Sequence, residues 1–146
     1  MPPKGIAEYL PYCRDRYCAV FIQKFELQIY EIHTDLLRGH FKYRNEHIRL
    51  QLLNDRGVFH IAISSKYGPE NFKDINLLHL ILIPAGNLSP KILQRDLNTS
   101  FSTRHEQSID LLNTRYSVIT DLFALEKYEQ TERTLEDFSS KTGFSY

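Results

Sequence analysis

The chain has 146 residues, a formal net charge of zero at pH 7 and 42% hydrophobic residues. This length predicts a single domain over residues 1–146 with a hydrophobic core of its own, and the neutral charge argues against a dedicated nucleic-acid binder. No apolar run approaches the ~20 residues of a membrane span, and Met-Pro-Pro-Lys lacks the apolar region of a secretory signal. We therefore expect a soluble, cytoplasmic protein.

The N-terminal region has near-helical apolar spacing over residues 4–22, and Pro11 argues against a helix there unless it lies in the first turn of a helix that starts at Leu10. Cys13 and Cys18 are five residues apart, so a helix or a strand points them in different directions. We expect two reduced, buried thiols rather than a disulfide.

The spacing then changes to the two-residue alternation of a β-strand. Residues 25–29 predict a half-buried strand, and residues 41–44 predict a second, short one. The strongest β pattern follows, with strands at 47–53 and 58–64 joined by Asn-Asp-Arg-Gly. Gly57 supplies the positive φ that a tight hairpin connection requires. These segments predict antiparallel strands.

Two short helices are predicted after the hairpin, at residues 74–81 and at 90–97, where Ser89 is the N-cap. The order of helix, antiparallel strands and helices indicates the α+β class. The expected fold is an antiparallel sheet of three to four strands, covered on one face by helices and followed by a long C-terminal helix.

That last helix is predicted over Thr103–Phe138, with Thr103 and Glu106 as a capping box at its start. Such a helix would be about 54 Å long, whereas a domain of this size has a radius of gyration of roughly 15 Å. The helix therefore kinks or breaks near Thr120–Ala124, or its distal half extends and needs a partner. Its apolar residues form two stripes offset by one position: Ile109, Leu112, Tyr116, Ile119 and Phe123, then Ala124, Tyr128, Thr131, Leu135 and Phe138.

No catalytic, cofactor or metal motif is evident, so we predict no catalytic residue, no cofactor and no metal ligand. Three histidines, His40, His47 and His60, lie on predicted strands that neighbour one another. If they converge, they form a metal or acid–base site, and the protein is a small hydrolase or metal-binding enzyme. The other interpretation is that they are half-exposed sheet residues facing solvent.

Cations and aromatic residues alternate in the first half of the chain, a pattern that can bind nucleic acid by neutralising phosphates and stacking bases. Interspersed acids favour a solvated face of mixed charge instead. Nucleic-acid binding is therefore a second alternative, which requires these cations to form one continuous patch. They are Arg14, Arg16, Lys42, Arg44, Arg49 and Arg56.

The distal half of the long helix is acidic: Ser117–Phe138 carries about four excess negative charges. Carboxylates beside aromatic residues predict a surface for a basic protein partner or for a homodimer contact. The other interpretation is a solvated helix that packs its stripe on its own core. The candidate partner-binding residues are Asp121, Glu126, Tyr128, Glu129, Glu132, Leu135 and Glu136.

The layout of residues 25–82, with its hairpin through Asn54-Asp-Arg-Gly and its Asp74-Ile-Asn-Leu-Leu helix, resembles a group of bacterial proteins. These are the small α+β immunity-type or uncharacterised proteins encoded beside bacterial polymorphic toxins. The resemblance implies a non-enzymatic protein that binds a cognate toxin, and it implies no fixed functional residues. The chain departs from that group in having no overall acidic charge.

Overall fold

The computed structural model describes residues 6–35, 37–78 and 101–142 of the chain. They belong to two compact units, and the boundary between the units falls between Phe72 and Lys73. That the two units make one domain stays a prediction. The helix predicted at residues 90–97 lies outside the described residues.

The N-terminal region is helical in three consecutive segments: α1 (Ile6–Cys13), a π-helical turn (Arg14–Cys18) and α2 (Ala19–Lys24). Pro11 lies inside α1, which begins at Ile6, so the helix does not start at Leu10 with Pro11 in its first turn. A proline inside a helix removes one backbone hydrogen bond and crowds the preceding turn, and the helix widens to the π form three residues later.

Four strands of the first unit form an antiparallel meander in which each pairs with the next: β1 (Gln28–Thr34), β2 (Arg38–Arg44), β3 (Ile48–Asp55) and β4 (Val58–Ser65). The strand predicted at residues 25–29 is displaced, because residues 25–27 end α2 instead. A two-residue strand, β5 (Lys73–Asp74), begins the second unit. The described residues thus contain five strands rather than three to four.

One face of the meander is apolar and covered by the N-terminal helices. The guanidinium of Arg14 lies 5.3 Å from the centre of the Phe41 ring, and Tyr17 stacks on Phe59 at 6.1 Å. The predicted arrangement, with helices over one sheet face, is confirmed for this unit. The buried residues of that face on β2, β3 and β4 are Phe41, Tyr43, Ile48, Leu50, Leu52, Phe59, Ile61 and Ile63.

The described part of the second unit contains a 3₁₀ helix (Ile75–Leu78) and three α-helices: α3 (Phe101–Thr114), α4 (Tyr116–Leu122) and α5 (Tyr128–Thr142). The helix predicted around residues 74–81 is therefore a 3₁₀ turn over its described part. The single helix predicted over Thr103–Phe138 is interrupted at Arg115 and again at residues 123–127. The second interruption matches the break expected near Thr120–Ala124.

The start of the long helical region also differs from the prediction, because α3 already includes Phe101. Thr103 is therefore inside the helix and not at the predicted start. The apolar stripes are confirmed in part: Leu112, Ile119, Phe123 and Leu135 are fully buried, and Thr131 is nearly so. Their other described members are half-buried, namely Ile109, Tyr116, Ala124 and Tyr128.

The end of α2 is a Schellman motif, in which a residue in the left-handed conformation terminates the helix. The amide of Glu26 donates to the carbonyl of Gln23 at 3.2 Å, and that of Leu27 donates to the carbonyl of Ile22 at 2.9 Å. Glu26 has φ 55°, a conformation that costs an L-residue with a Cβ roughly 1–2 kcal/mol. Glycine adopts it without that cost.

We expect Glu26→Gly to raise the free energy of unfolding by about 0.5–1 kcal/mol, because the relief of strain exceeds the added entropy of the unfolded chain. Urea denaturation measures it. Glu26→Ala is the control, since it removes the carboxylate but keeps a Cβ at positive φ. A gain of equal size in both variants would show that charge, not backbone strain, is responsible.

Candidate functional site

The polar face of the meander carries a row of histidines formed by strand pairing. His33 lies opposite His40, and Leu53 separates His40 from His60 across β3. The rings of His33 and His40 stack with their centres 5.3 Å apart. Since two strand spacings separate His40 from His60, their backbones lie about 10 Å apart. His47 precedes β3 at the other end of the sheet.

The predicted convergence of His40, His47 and His60 is therefore not what the strand register produces. The partner that the fold gives to His40 is His33, a residue that sequence reasoning left out because its strand was placed too early. Within residues 6–35, 37–78 and 101–142 no group of three His, Cys, Asp or Glu residues could hold a metal ion. The alternative of a hydrolase or metal-binding enzyme depended on the convergence of these three histidines, which the strand register does not produce.

A network of opposite charges lies next to this histidine pair. The Nε2 atom of His40 lies 2.6 Å from Oε2 of Glu31, and the same carboxylate oxygen is 2.9 Å from Nζ of Lys42. Lys42 also donates to Oε2 of Glu70 at 2.8 Å. Its side chain is only 15% exposed, so the ammonium group is held between two carboxylates with little access to water.

The pKa values of the network follow from these contacts. The hydrogen bonds from Lys42 and then from His40 lower the pKa of the Glu31 carboxyl group. Burial by itself would lower the pKa of the Lys42 ammonium group, but the hydrogen bonds and charges of Glu70 and Glu31 outweigh it and the pKa is raised. Both shifts favour the charged forms, which is the signature of a satisfied ion pair rather than of a catalytic acid or base.

Residues 66–70, which follow β4, pack on the same face and are held there by hydrogen bonds. Nη2 of Arg49 donates to the carbonyl of Lys66 at 2.9 Å and to that of Gly68 at 3.0 Å. Together with the Lys42–Glu70 contact, these bonds hold residues 66–70 against β2 and β3. The charged groups of the polar face thus form contacts within their own unit, and these contacts stabilise it.

The two thiols do not provide a nucleophile. Cys13 and Cys18 are both reduced, and they are 1% and 0% exposed. Burial raises the pKa of both thiol groups, because a thiolate is poorly solvated in an apolar environment. The prediction of two buried, unlinked cysteines is confirmed.

The cations proposed for nucleic-acid binding are divided between the two faces of the sheet. Arg14 lies on the helical side, with Nε 3.0 Å from Asp15, whereas Lys42, Arg44 and Arg49 belong to the polar face. Those on the polar face are occupied by carboxylates, backbone carbonyls or an aromatic ring: the guanidinium of Arg44 is 4.9 Å from the centre of the Tyr30 ring. The six predicted cations therefore do not all lie on one face of the sheet.

The acidic segment of the second unit presents most of its predicted residues to solvent. Asp121, Glu126, Glu129 and Glu136 are exposed, and the side chains of Asp121 and Glu136 are 67% and 70% exposed. Among the described residues, two lysines form ion pairs with them: Nζ of Lys127 is 2.9 Å from Asp121, and Nζ of Lys73 is 3.7 Å from Glu136. Arg133 also contacts Glu129, because its Nε donates to the backbone carbonyl of Glu129 at 3.4 Å.

The other three predicted residues are less accessible. Tyr128 and Glu132 are half-buried, and Leu135 is fully buried in the second unit. Leu135 anchors α5 and is not available to a partner. The exposed apolar residues of this region are instead Val118 and Leu125, at 41% and 61%. The sequence contained a signal for Leu125, which falls on neither apolar stripe, but sequence reasoning did not use it.

Comparisons with models of protein families, with curated proteins and with solved structures found no match for this chain. None of the helices in the described ranges is long and apolar enough to cross a membrane.

The ion-pair network predicts an acid-dependent loss of stability. The pKa of Glu31 is lower in the folded protein than its ordinary value of 4.5, so its stabilising effect is present above that pH and is lost as the pH falls through the folded-state pKa. We expect Glu31→Gln to be less stable than the wild type near neutral pH, with the difference shrinking in acid. Urea titrations of both proteins over a pH series measure the stability difference and its decrease in acid. A difference that stays constant over the pH series would contradict the prediction.

The buried thiols predict a simple labelling pattern. We expect Cys13 and Cys18 to react with a maleimide far more slowly in the folded protein than in urea, because burial both excludes the reagent and disfavours the thiolate. Mass spectrometry of timed samples counts the labels. Rapid labelling of the native protein would show that α1 and the π turn open readily.

Proposed function

We propose that this protein is a non-enzymatic protein-binding module that binds a basic partner through the acidic surface of α4, α5 and the turn between them. We name this surface the acidic surface and define it by the exposed residues Val118, Asp121, Leu125, Glu126 and Glu129. In agreement with the resemblance of residues 25–82, we further propose that the partner is a cognate toxin and that the module is its immunity protein or inhibitor.

The observation that carries the proposal is the exposure of apolar side chains within a patch of carboxylates. Leu125 is 61% exposed beside Glu126 and at the end of α4, whose Asp121 is also exposed. Protein interfaces combine apolar anchors with charged surroundings, and the charges select the partner and speed its association. A helix that only covered its own core would keep its large apolar residues inward, as α5 does with Leu135.

The rigid attachment of α5 supports the same interpretation. The hydroxyl of Thr131 donates to the carbonyl of Leu122 at 2.6 Å, which ties α5 to the end of α4 across the turn. The turn itself is closed by the amide of Tyr128, which donates to the carbonyl of Ala124 at 2.9 Å. Leu125 is therefore presented on a fixed turn, and little ordering is required when a partner binds.

The experiment is a binding measurement with purified products of the genes that flank this one. We expect one basic product to bind, and we expect the pair Leu125→Lys and Glu126→Lys to weaken the complex at least tenfold, because an anchor is lost and the charge is reversed. Association rates at two salt concentrations test whether electrostatic attraction speeds the association, since high salt screens the charges.

The matched control is Glu46→Lys, which reverses an 81% exposed carboxylate in the first unit. Binding should survive that change. If no flanking product binds, the immunity role is wrong. If one binds but is unaffected by the Leu125→Lys and Glu126→Lys changes, the acidic surface is not the interface.

A further inference from the structure

The first strand of the meander has no second strand partner among the described residues. β1 pairs with β2 on one side and ends the strand order of the first unit. An edge strand of this kind leaves every second backbone N–H and C=O group without a strand partner, and natural proteins protect such edges with charged side chains, especially lysine, with proline or with a β-bulge. Gln28–Thr34 contains no proline or lysine, and its protective features are Glu31 and a bulge. Two large apolar side chains instead lie exposed on it, Ile29 at 42% and Ile32 at 63%.

A β-bulge at Tyr30 gives this edge an unusual pattern. Ile29 pairs with Tyr43, Glu31 with Lys42 and Ile32 with Phe41, so the register shifts by one residue between Ile29 and Glu31. The two isoleucines, three positions apart, therefore share the apolar face of the sheet. An unbulged strand would place them on opposite faces.

The polar face receives the remaining residues at the bulge. Tyr30 lies there, because the guanidinium of Arg44 is 4.9 Å from its ring centre. Glu31 lies beside it, paired with Lys42. From Gln28 to His33 the faces thus read polar, apolar, polar, polar, apolar, polar. This sequence of faces is the same in both directions about the midpoint between Tyr30 and Glu31.

We propose that two copies of this chain pair through β1, antiparallel, about a two-fold axis between Tyr30 and Glu31. In antiparallel pairing, directly opposite residues lie on the same face of the sheet. A two-fold centred on any single residue near the bulge would set an apolar residue against a polar face. The bulge-centred register alone keeps both faces matched across the strand, and it joins the two meanders into one continuous sheet.

The side chains that this register brings together are compatible. Ile29 meets Ile32 of the second copy on the apolar face, and the symmetry makes this contact twice. Tyr30 meets Glu31 of the second copy, a phenol beside a carboxylate, and Gln28 meets His33. No pair of like charges is directly opposed, whereas pairing centred on Glu31 would oppose two carboxylates.

A contact of six residues on each strand is small for a protein interface, so the dimer forms in a concentration-dependent way. It is independent of the acidic surface, which belongs to the second unit. Charge reversal at Glu126 is therefore expected to leave it intact.

The first test measures register with cysteine pairs. A mixture of Ile29→Cys and Ile32→Cys proteins is expected to form a disulfide-linked dimer under a mild oxidant, because opposed residues lie about 4.5–5.5 Å apart. Either variant alone is expected to stay mostly unlinked, since each residue lies about 10 Å from its own copy along the strands. The native thiols are 1% and 0% exposed and do not interfere.

The second test measures mass against concentration by sedimentation. The wild type should move from 17.2 kDa toward twice that mass as concentration rises, and Ile32→Lys should stay monomeric. Val58→Lys is the control, since Val58 is 41% exposed on β4, three strands from this edge. A wild type that remains monomeric at millimolar concentration overturns the proposal. Equal cross-linking of the single variants and the mixture overturns the register.

Discussion

The architecture of the first unit depends on one constraint: β2, β3 and β4 pair without any shift in register. Because Phe41, Leu52 and Ile61 lie opposite one another, and each strand alternates with period two, most apolar residues of the three strands reach the same face. Leu53, Val58 and Ala62 lie on the other face. A one-residue slip in either hairpin would invert this arrangement. The tight Arg56–Gly57 connection, with φ values of 55° and 87°, fixes the register of the second hairpin.

The opposite face acquires its character from the same register. Pairing places Glu31 next to Lys42 and His33 next to His40, and residues 66–70 bring Glu70 to the same ammonium group. The charged groups of this network therefore form ion pairs within the unit. In the described residues, two regions with exposed apolar side chains are candidates for contact with other molecules. They are the outer edge of β1 and, in the second unit, the acidic surface. Both candidate binding surfaces are regions that the packing of their own unit leaves uncovered.

Much of this could be predicted from the sequence, and the failures are local. The Asn54–Gly57 hairpin and the strands around it were predictable because alternation and turn chemistry agree there. The strand before them was placed too early, since Phe25, Leu27 and Ile29 alternate like a strand while Glu26 adopts the left-handed conformation that ends α2. The histidine site failed for a related reason: which residue faces His40 depends on register, and the misplaced strand concealed His33.

The sequence by itself determined the α+β class, the apolar stripes of the second unit and its local acidity, because periodicity and charge are properties of the chain alone. Tertiary structure decided which of these residues are accessible. Leu135 and Leu125 are equally apolar, yet Leu135 is buried and anchors α5, whereas Leu125 is exposed. The difference arises because Leu125 lies in the turn at residues 123–127, where the helical periodicity is interrupted. Ile29 and Ile32 likewise share one face only because β1 bulges at Tyr30 where it pairs with β2.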